Sequence, residues 1–177
     1  MSKDIIEIIK GRRSVRSYLD KEVNDELLKE ILISGTYAPS GMNKQSPYFV
    51  LIKNKKVRDY YAMLNARVLG NTNDPYYGAP YIIIVLAEPS IKTYVEDASC
   101  AIMNMMLTAE SIGVSSCWIH REKEIFNSKE GKELLKEWNL PTSLVGVGSL
   151  AIGYLKGDKP LLKPRKGDYY KIVWVNF

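Results

Sequence analysis

Residues 81–112 have the sequence YIIIVLAEPSIKTYVEDASCAIMNMMLTAESI, and this stretch decides the fold. The β-branched and apolar run from Tyr81 to Leu86 predicts a strand that is buried on both faces. Tyr94 to Ile112 predicts a long helix, whose centre from Cys100 to Leu107 is apolar nearly all round. Such a helix is buried on every side, either inside a domain or across a subunit interface.

The remaining elements mix helices and strands without a regular alternation. Asp4 to Lys10 predicts a short helix with four isoleucines on one face, and Gly11 stands at its C-terminal cap position. Asn24 is placed to cap a second helix, which Gly35 and Pro39 would end. Further strands are predicted over residues 48–53, 114–119 and 144–154, and further helices over residues 57–69 and 128–139. The lack of strict βαβ order favours an α+β fold.

Length and composition indicate one domain over residues 1–177. The 177 residues are 46% hydrophobic, which is enough for a core that needs neither disulfides nor metals. Cys100 and Cys117 lack the spacing of a zinc site, and a single histidine, His120, rules out a multi-histidine metal site. The N-terminus has no signal core, and the longest apolar run, from Ala79 to Ala87, is too short to span a bilayer. We therefore expect a cytoplasmic protein without a membrane partner.

The net charge of +5 is compatible with nucleic acid, an acidic membrane surface or an anionic small ligand. Most basic residues are scattered, but Arg12, Arg13 and Arg16 fall within five residues around Ser14. Guanidinium groups match phosphate or carboxylate bidentately, and such a cluster repels itself unless water or an anion lies between its members. Because the chain has no zinc finger and no RNA-binding aromatic signature, a small anionic ligand is favoured over nucleic acid. A solvated basic turn is the simpler alternative for the cluster.

Two other motifs do not support the chemistry that they suggest. Gly146, Gly148 and Gly153 lack the spacing of a dinucleotide fingerprint, and the predicted strand continues through them. Cys117 and His120 are three residues apart, which places them on opposite faces of a strand. A thiol–imidazole dyad is therefore not expected.

Four segments in order resemble the FMN-dependent nitroreductase family. They are RRSVR at residues 12–16, APSGMNKQSP at 38–47, SSCWIH at 115–120 and KPR at 163–165. The resemblance covers most of the chain and implies a nitroreductase-like α+β fold with a central, mostly antiparallel sheet flanked by helices. It also implies an intertwined homodimer with FMN in a groove at the subunit interface.

The resemblance assigns FMN-binding roles to residues in each segment. The phosphate and ribityl chain would be held by Arg12, Arg13, Ser14 and Arg16, with a C-terminal pair of Lys163 and Arg165. The segment packing on the ring from the second subunit would contribute Pro39, Ser40, Gly41, Asn43 and Gln45. The strand end beneath the ring would contribute Cys117, Trp118, Ile119 and His120, with a backbone N–H near His120 facing flavin N5. Asn65, or alternatively Asn71, is the candidate for a further contact, and Arg121 stands where the family often has glycine.

The implied activity is electron transfer from NAD(P)H through FMN to nitroaromatics, quinones or similar acceptors in a ping-pong cycle. No side chain is assigned as a catalytic acid or base, because the cofactor carries the chemistry. The region from about residue 58 to 78 is short where longer members insert a lid, and Tyr76, Tyr77 and His120 are candidates for controlling access. The alternatives are a specialised member, such as a dehalogenase, a small-molecule dehydrogenase or a flavin-fragmenting enzyme, or a non-catalytic FMN-binding protein.

Overall fold

The structure is a computed structural model that describes residues 4–164 and residue 175. Within these residues the helices are α1 (Ile5–Gly11), α2 (Asp25–Thr36), α3 (Lys55–Leu69), α4 (Tyr94–Ser111), α5 (Glu122–Asn127) and α6 (Lys129–Glu137). The strands are β1 (Pro47–Ile52), β2 (Tyr81–Ala87), β3 (Ser115–Ile119) and β4 (Val145–Gly153). A short 3-10 helix, Gly41–Asn43, precedes β1.

The four strands form one antiparallel sheet in the order β1-β2-β4-β3. Every residue of β2 is buried, as its unbroken apolar sequence predicts. Ile82, Ile84 and Leu86 pack with α3, α5 and α6 on one face, whereas Ile83 and Val85 pack with α2 and α4 on the other. The predicted α+β class and the antiparallel sheet flanked by helices are confirmed.

Most element boundaries differ from the predicted ones by one or two residues. The predicted cap of α2 is present, because Asn24 Oδ1 accepts the Glu26 N–H at 2.8 Å. Gly11 is not a cap but the last residue of α1, and the N–H of Arg12 after it donates to the Ile8 carbonyl. Gly35 likewise lies inside α2, where its missing side chain makes room for Met105 and Phe49. Helix α5 was not predicted at all.

Helix α4 is not buried on every side within the single chain, so its burial across a subunit interface, the other alternative, stays a prediction. Ala101 and Met105 are buried against the sheet, but Cys100 and Met103 are exposed. In α1 only Ile8 is buried, which leaves the other isoleucines of the predicted apolar face at the surface. The described chain therefore has an apolar surface on two helices that its own core does not cover.

Gly146 in β4 lies where the fold leaves no space for a side chain. A Cβ there would overlap the backbone carbonyl of Glu122 at the start of α5. Because that carbonyl cannot move without shifting α5, we expect Gly146→Ala to lower the free energy of unfolding by about 3 kcal/mol. Urea denaturation followed by circular dichroism measures this.

Gly11→Ala is the matched control for Gly146→Ala. A Cβ at Gly11 would meet only Glu110 Oε1, at an ordinary 3.9 Å, and Gly11 lies in a helix. We expect this variant to be as stable as the parent or more stable by about 0.5 kcal/mol. Equal denaturation midpoints for both variants would contradict the packing account.

Candidate functional site

The basic segment after α1 is fixed against the edge of the sheet. Ser14 forms a parallel bridge with Ser116 of β3, and the Val15 N–H donates to the Ser116 carbonyl at 3.1 Å. Further along, the buried Tyr18 hydroxyl donates to the carbonyls of Val15 and Ala151, at 2.9 and 3.3 Å. These contacts hold the backbone between the predicted phosphate-binding residues, although the segment has no regular secondary structure.

The three arginines of this segment have different surroundings. Arg13 donates from Nη1 to the carbonyls of Lys10 and Arg12, at 2.7 and 2.6 Å, and so caps the end of α1. Arg12 is half-buried. Arg16 is exposed, and its guanidinium lies 5.9 Å from the centre of the Tyr77 ring. Arg13 therefore has a structural task in addition to the role predicted for it.

Cys117 is the point at which two of the predicted segments meet. Burial raises the pKa of its thiol, although Arg16, a hydrogen bond with Ser14 and Arg12 act in the opposite direction. A buried thiol with a raised pKa is a poor nucleophile at neutral pH. Cys117 is buried in β3, whereas His120, the residue directly after the strand, is exposed. The structure therefore brings Arg12, Ser14 and Arg16 to β3 and offers no thiol–imidazole dyad.

The residues predicted beneath the ring do not share one face of the sheet. Cys117 and Ile119 are buried in the core on the α3 side. Trp118 points to the other face, where it remains 37% exposed beside Gly148 and leaves no space for a Cβ there. Of the strand-end residues, only Trp118 and His120 present side chains to solvent in the single chain.

A buried carboxylate holds the loop from Ala38 to Ser46. Asp97 in the first turn of α4 accepts the Gly41 N–H at Oδ1 and the Ser46 hydroxyl at Oδ2, both at 3.0 Å. The Ser40 hydroxyl accepts the Gln45 N–H at 3.0 Å. In the sequence, Asp97 is simply one residue of the predicted long helix from Tyr94 to Ile112, and its position in the first helical turn does not indicate this anchoring role.

The same loop is exposed and has an unusual backbone. Met42, Asn43 and Gln45 all have positive φ, between 49° and 54°. The Gln45 amide donates to Asn43 Oδ1 at 3.1 Å, and both side chains are exposed. The side-chain hydrogen bonds of this loop are made with Asp97 and within the loop itself. The loop is therefore held by α4, whereas Ser14 and Val15 of the basic segment are held by β3.

The turn between β3 and α5 contains the most distinctive backbone of the region. Arg121 has φ +89° and ψ 6°, a left-handed conformation that favours glycine. Its Nε donates to Asn65 Oδ1 at 2.8 Å, and Asn65 Nδ2 donates to the His120 carbonyl at 3.0 Å. Arg121, which stands where a glycine was expected, therefore keeps the left-handed backbone conformation that glycine favours.

We expect Arg121→Gly to be more stable than Arg121→Ala. Both variants lose the bond to Asn65, but only alanine retains the steric cost of the left-handed conformation. The difference in free energy of unfolding should be about 1 kcal/mol in favour of glycine. Urea denaturation of the two variants side by side measures it, and equal or reversed stabilities would show that the turn relaxes away from this conformation.

Behind this turn lies a buried polar cluster. Glu122 is fully buried, and its Oε1 accepts hydrogen bonds from Ser149 Oγ at 2.6 Å, the Tyr76 hydroxyl at 3.1 Å and Asn65 Nδ2 at 3.2 Å. Burial raises the pKa of Glu122 to about 8, even though Ser149, Tyr76 and Arg121 lower it. No sequence pattern indicated Glu122, because it begins α5, the helix that was not predicted.

Other predicted residues have more local roles. Tyr76 is fully buried in the cluster, so it cannot control access from the surface, whereas Tyr77 is 39% exposed. Asn71 accepts the Asn73 N–H at 3.0 Å and so stabilises its own turn. Lys163 lies in the exposed segment after β4, and Arg165 lies outside the described residues.

Comparison with known proteins identifies the family. The profile described as the nitroreductase family matches residues 9–154, which is most of the chain and includes the basic segment, the anchored loop and the β3–α5 turn. The chain belongs to the nitroreductase family.

Solved structures support this assignment over the full length. A nitroreductase from Bacteroides fragilis, crystallised with bound FMN, is 32% identical, has a TM-score of 0.85 and is matched over 99% of this chain and 100% of its own. An FMN-bound nitroreductase from Desulfitobacterium hafniense is 25% identical with a TM-score of 0.83, over 99% and 100% of the two chains.

A curated relative gives the same result. A protein of Methanothermobacter thermautotrophicus, which has the provisional name NADH dehydrogenase/NAD(P)H nitroreductase, is 32% identical over 163 residues. The match covers 85% of this nitroreductase-family chain and 77% of the relative. In the described part of the chain, no helix is both long and apolar enough to cross a bilayer, and no group of three acidic, histidine or cysteine side chains is placed to hold a metal ion.

Proposed function

We propose that this chain is an FMN-dependent oxidoreductase that passes electrons from NAD(P)H to small acceptors such as nitroaromatics and quinones. The observation that carries this proposal is the meeting of Arg12, Ser14 and Arg16 with β3 at Cys117. Family membership and the FMN bound in similar nitroreductase structures add support.

The side chains around the basic segment fit a phosphate monoester. Arg16 is exposed, and Ser14 is half-buried beside the buried Cys117. Arg13 Nε is buried and has no hydrogen-bond partner among the described residues. A fixed backbone with several cationic donors is preorganised for an anion, because little side-chain entropy is lost on binding.

When bound, FMN supplies redox chemistry that no side chain of this protein can supply. In our proposal Arg12, Ser14 and Arg16 hold its phosphate, and Lys163 and Arg165 complete that group. Positive charge nearby also stabilises negative charge that develops on the ring system. Trp118 and His120, the exposed residues at the end of β3, are the side chains that would lie beside the ring and limit access of water.

We further propose that a second copy of the chain completes the site. The anchored loop, with Pro39, Ser40, Gly41, Asn43 and Gln45, would be contributed by the partner subunit. The uncovered apolar surface on α1 and α4 supports this, because Ile5, Ile9 and Met103 are each 44–55% exposed in the single chain. NAD(P)H and the acceptor would then use the same open face of the site in turn, which defines a ping-pong cycle.

Flavin content and turnover test this proposal together. The purified protein is denatured and the released cofactor is identified by chromatography, and NADH or NADPH consumption is then followed with a nitroaromatic or a quinone. We expect FMN in near-stoichiometric amount and steady consumption that depends on the acceptor. Bound FMN without consumption would instead indicate a non-catalytic FMN-binding protein, and absence of flavin would contradict the proposal.

A further inference from the structure

Asn65 occupies a position that lets its amide bracket the β3–α5 turn at two consecutive residues, through the His120 carbonyl and the Arg121 side chain. It lies in the middle of α3 and is fully buried, yet both ends of its amide are used at the β3–α5 turn. Nδ2 donates to the carbonyl of His120, and Oδ1 accepts from Nε of the next residue, Arg121. Rotation of the peptide between these two residues would break the contact with the His120 carbonyl, and the contact with Arg121 holds the side chain that follows it.

The chemistry of the partners allows only one orientation of this amide. A backbone carbonyl can only accept, so the atom facing His120 must be the donor Nδ2. A guanidinium can only donate, so the atom facing Arg121 must be the acceptor Oδ1. Neither aspartate nor an apolar residue can satisfy both partners.

Glu122 fixes the orientation of Asn65 from behind. Its Oε1 accepts a second hydrogen bond from Asn65 Nδ2, and it also accepts from Tyr76 of the loop before β2 and Ser149 of β4. Glu122 is therefore tied to three parts of the structure, and through Asn65 it is tied to the turn.

The polar groups around Glu122 come from α3, the loop before β2, β4 and the β3–α5 turn. Tyr61 and Asn65 face it from α3, Tyr76 from the loop, Ser149 from β4, and Arg121 from the turn itself. Helix α6 packs on α5 with Gly131 against the Ile125 carbonyl and with Leu134 and Leu135 in the apolar core beside it. Among these described neighbours of Glu122, Arg121 is the one basic group.

We infer that Asn65, held by Glu122, is a positioning residue that fixes the His120–Arg121 peptide toward the cofactor without touching the cofactor itself. This inference rests on the proposed function and changes the role expected for Asn65. Sequence resemblance made it a candidate ligand of FMN, but its amide is buried and used by the protein. The left-handed backbone at Arg121 needs such support, because it is unfavourable for a residue with a side chain.

Asn65→Asp tests this inference with almost no change of shape. Aspartate still accepts from Arg121 but cannot donate to the His120 carbonyl. We expect the rate of flavin reduction by NAD(P)H, and kcat with it, to fall by about tenfold or more, because small misplacements near the reacting atoms are costly. The Kd of FMN and the KM of NAD(P)H should change little, and the visible absorption band of the bound flavin should shift.

Tyr61→Phe is the matched control. Tyr61 is fully buried in the same cluster, and in the described structure its hydroxyl makes no hydrogen bond with Asn65 or Glu122. We expect its rate, Kd and flavin spectrum to equal those of the parent protein. If Asn65→Asp does not fold, as judged by circular dichroism, Asn65→Ser replaces it, since it removes the bracket without adding a carboxylate.

Three outcomes would overturn the inference. A parent-like rate and spectrum in Asn65→Asp would show that the bracket does not position the turn. A large rise in the Kd of FMN with an unchanged kcat would show that Asn65 binds the cofactor directly. If the parent protein takes up no FMN, the proposed function fails and this inference fails with it. FMN uptake by the parent protein is therefore measured before the variants, so that failure of the proposed function is distinguished from failure of the inference about Asn65.

Discussion

Arg12→Ala is expected to weaken FMN binding by about ten- to a hundredfold. The variant loses a charge-assisted hydrogen bond to the phosphate, which contributes roughly 1.5–3 kcal/mol. Arg12 is chosen over Arg13 because Arg13 Nη1 also caps α1, so that its loss would disturb the helix as well as the site. Titration of each apoprotein with FMN, monitored by quenching of flavin fluorescence, gives the Kd of FMN for the parent protein and for Arg12→Ala.

Arg67→Ala is the control for Arg12→Ala. Arg67 is an exposed arginine of α3 whose partner is Glu130 of α6, at 3.2 Å. We expect it to leave the Kd of FMN unchanged, so that loss of one positive charge from the whole protein is separated from loss of the local contact. An unchanged Kd in Arg12→Ala would show that the basic segment does not hold the phosphate.

Glu122→Gln is expected to remove most of the pH dependence of stability between about pH 5 and pH 8. Burial raises the pKa of Glu122 from 4.5 to about 8 in the folded chain. The folded protein therefore binds this proton more tightly than the unfolded chain does. The stabilisation from this proton is complete below the pKa that Glu122 has in the unfolded chain. It is lost as the pH rises toward the pKa of Glu122 in the folded chain, and the free energy of unfolding then falls by at most about 1.4 kcal/mol per pH unit.

Denaturation in urea at several pH values measures this effect. The parent protein should lose stability as the pH rises through this window, whereas Glu122→Gln, which cannot ionise, should be flatter and more stable than the parent near pH 8. Glu124→Gln is the control, because Glu124 is exposed on the same short helix. Parallel curves for the parent and Glu122→Gln would mean that Glu122 does not retain its proton in the folded state.

Much of the fold follows from patterns that are local in the sequence. The apolar run of β2 is recognisable because burial on both faces requires continuous apolar residues, and α4 is recognisable from its length and its apolar centre. Helix caps such as Asn24 are also local, since a side chain bonds a backbone group two residues away. Helix α5 could not be found in this way, because six residues are too few for a periodic pattern.

The site was less predictable than the fold, for physical reasons. Glu122 and Asp97 are acidic residues whose sequence context is typical of the surface, and only tertiary structure shows that each is buried with hydrogen-bond donors around it. The meeting of the basic segment with β3 joins residues about 100 positions apart, so no local pattern contains it. Resemblance to a family supplied that link, but it did not supply the bracket that Asn65 forms at the turn.

The central claim is that this chain binds FMN and uses it to accept electrons from NAD(P)H. The most direct test is the visible absorption spectrum of the purified protein, recorded before and after anaerobic addition of NADH and, separately, NADPH. We predict an oxidised flavin spectrum that bleaches on addition of at least one donor, and the faster donor defines the preference. A colourless protein that takes up no FMN on titration would contradict the account, and the basic segment would then require a different anion.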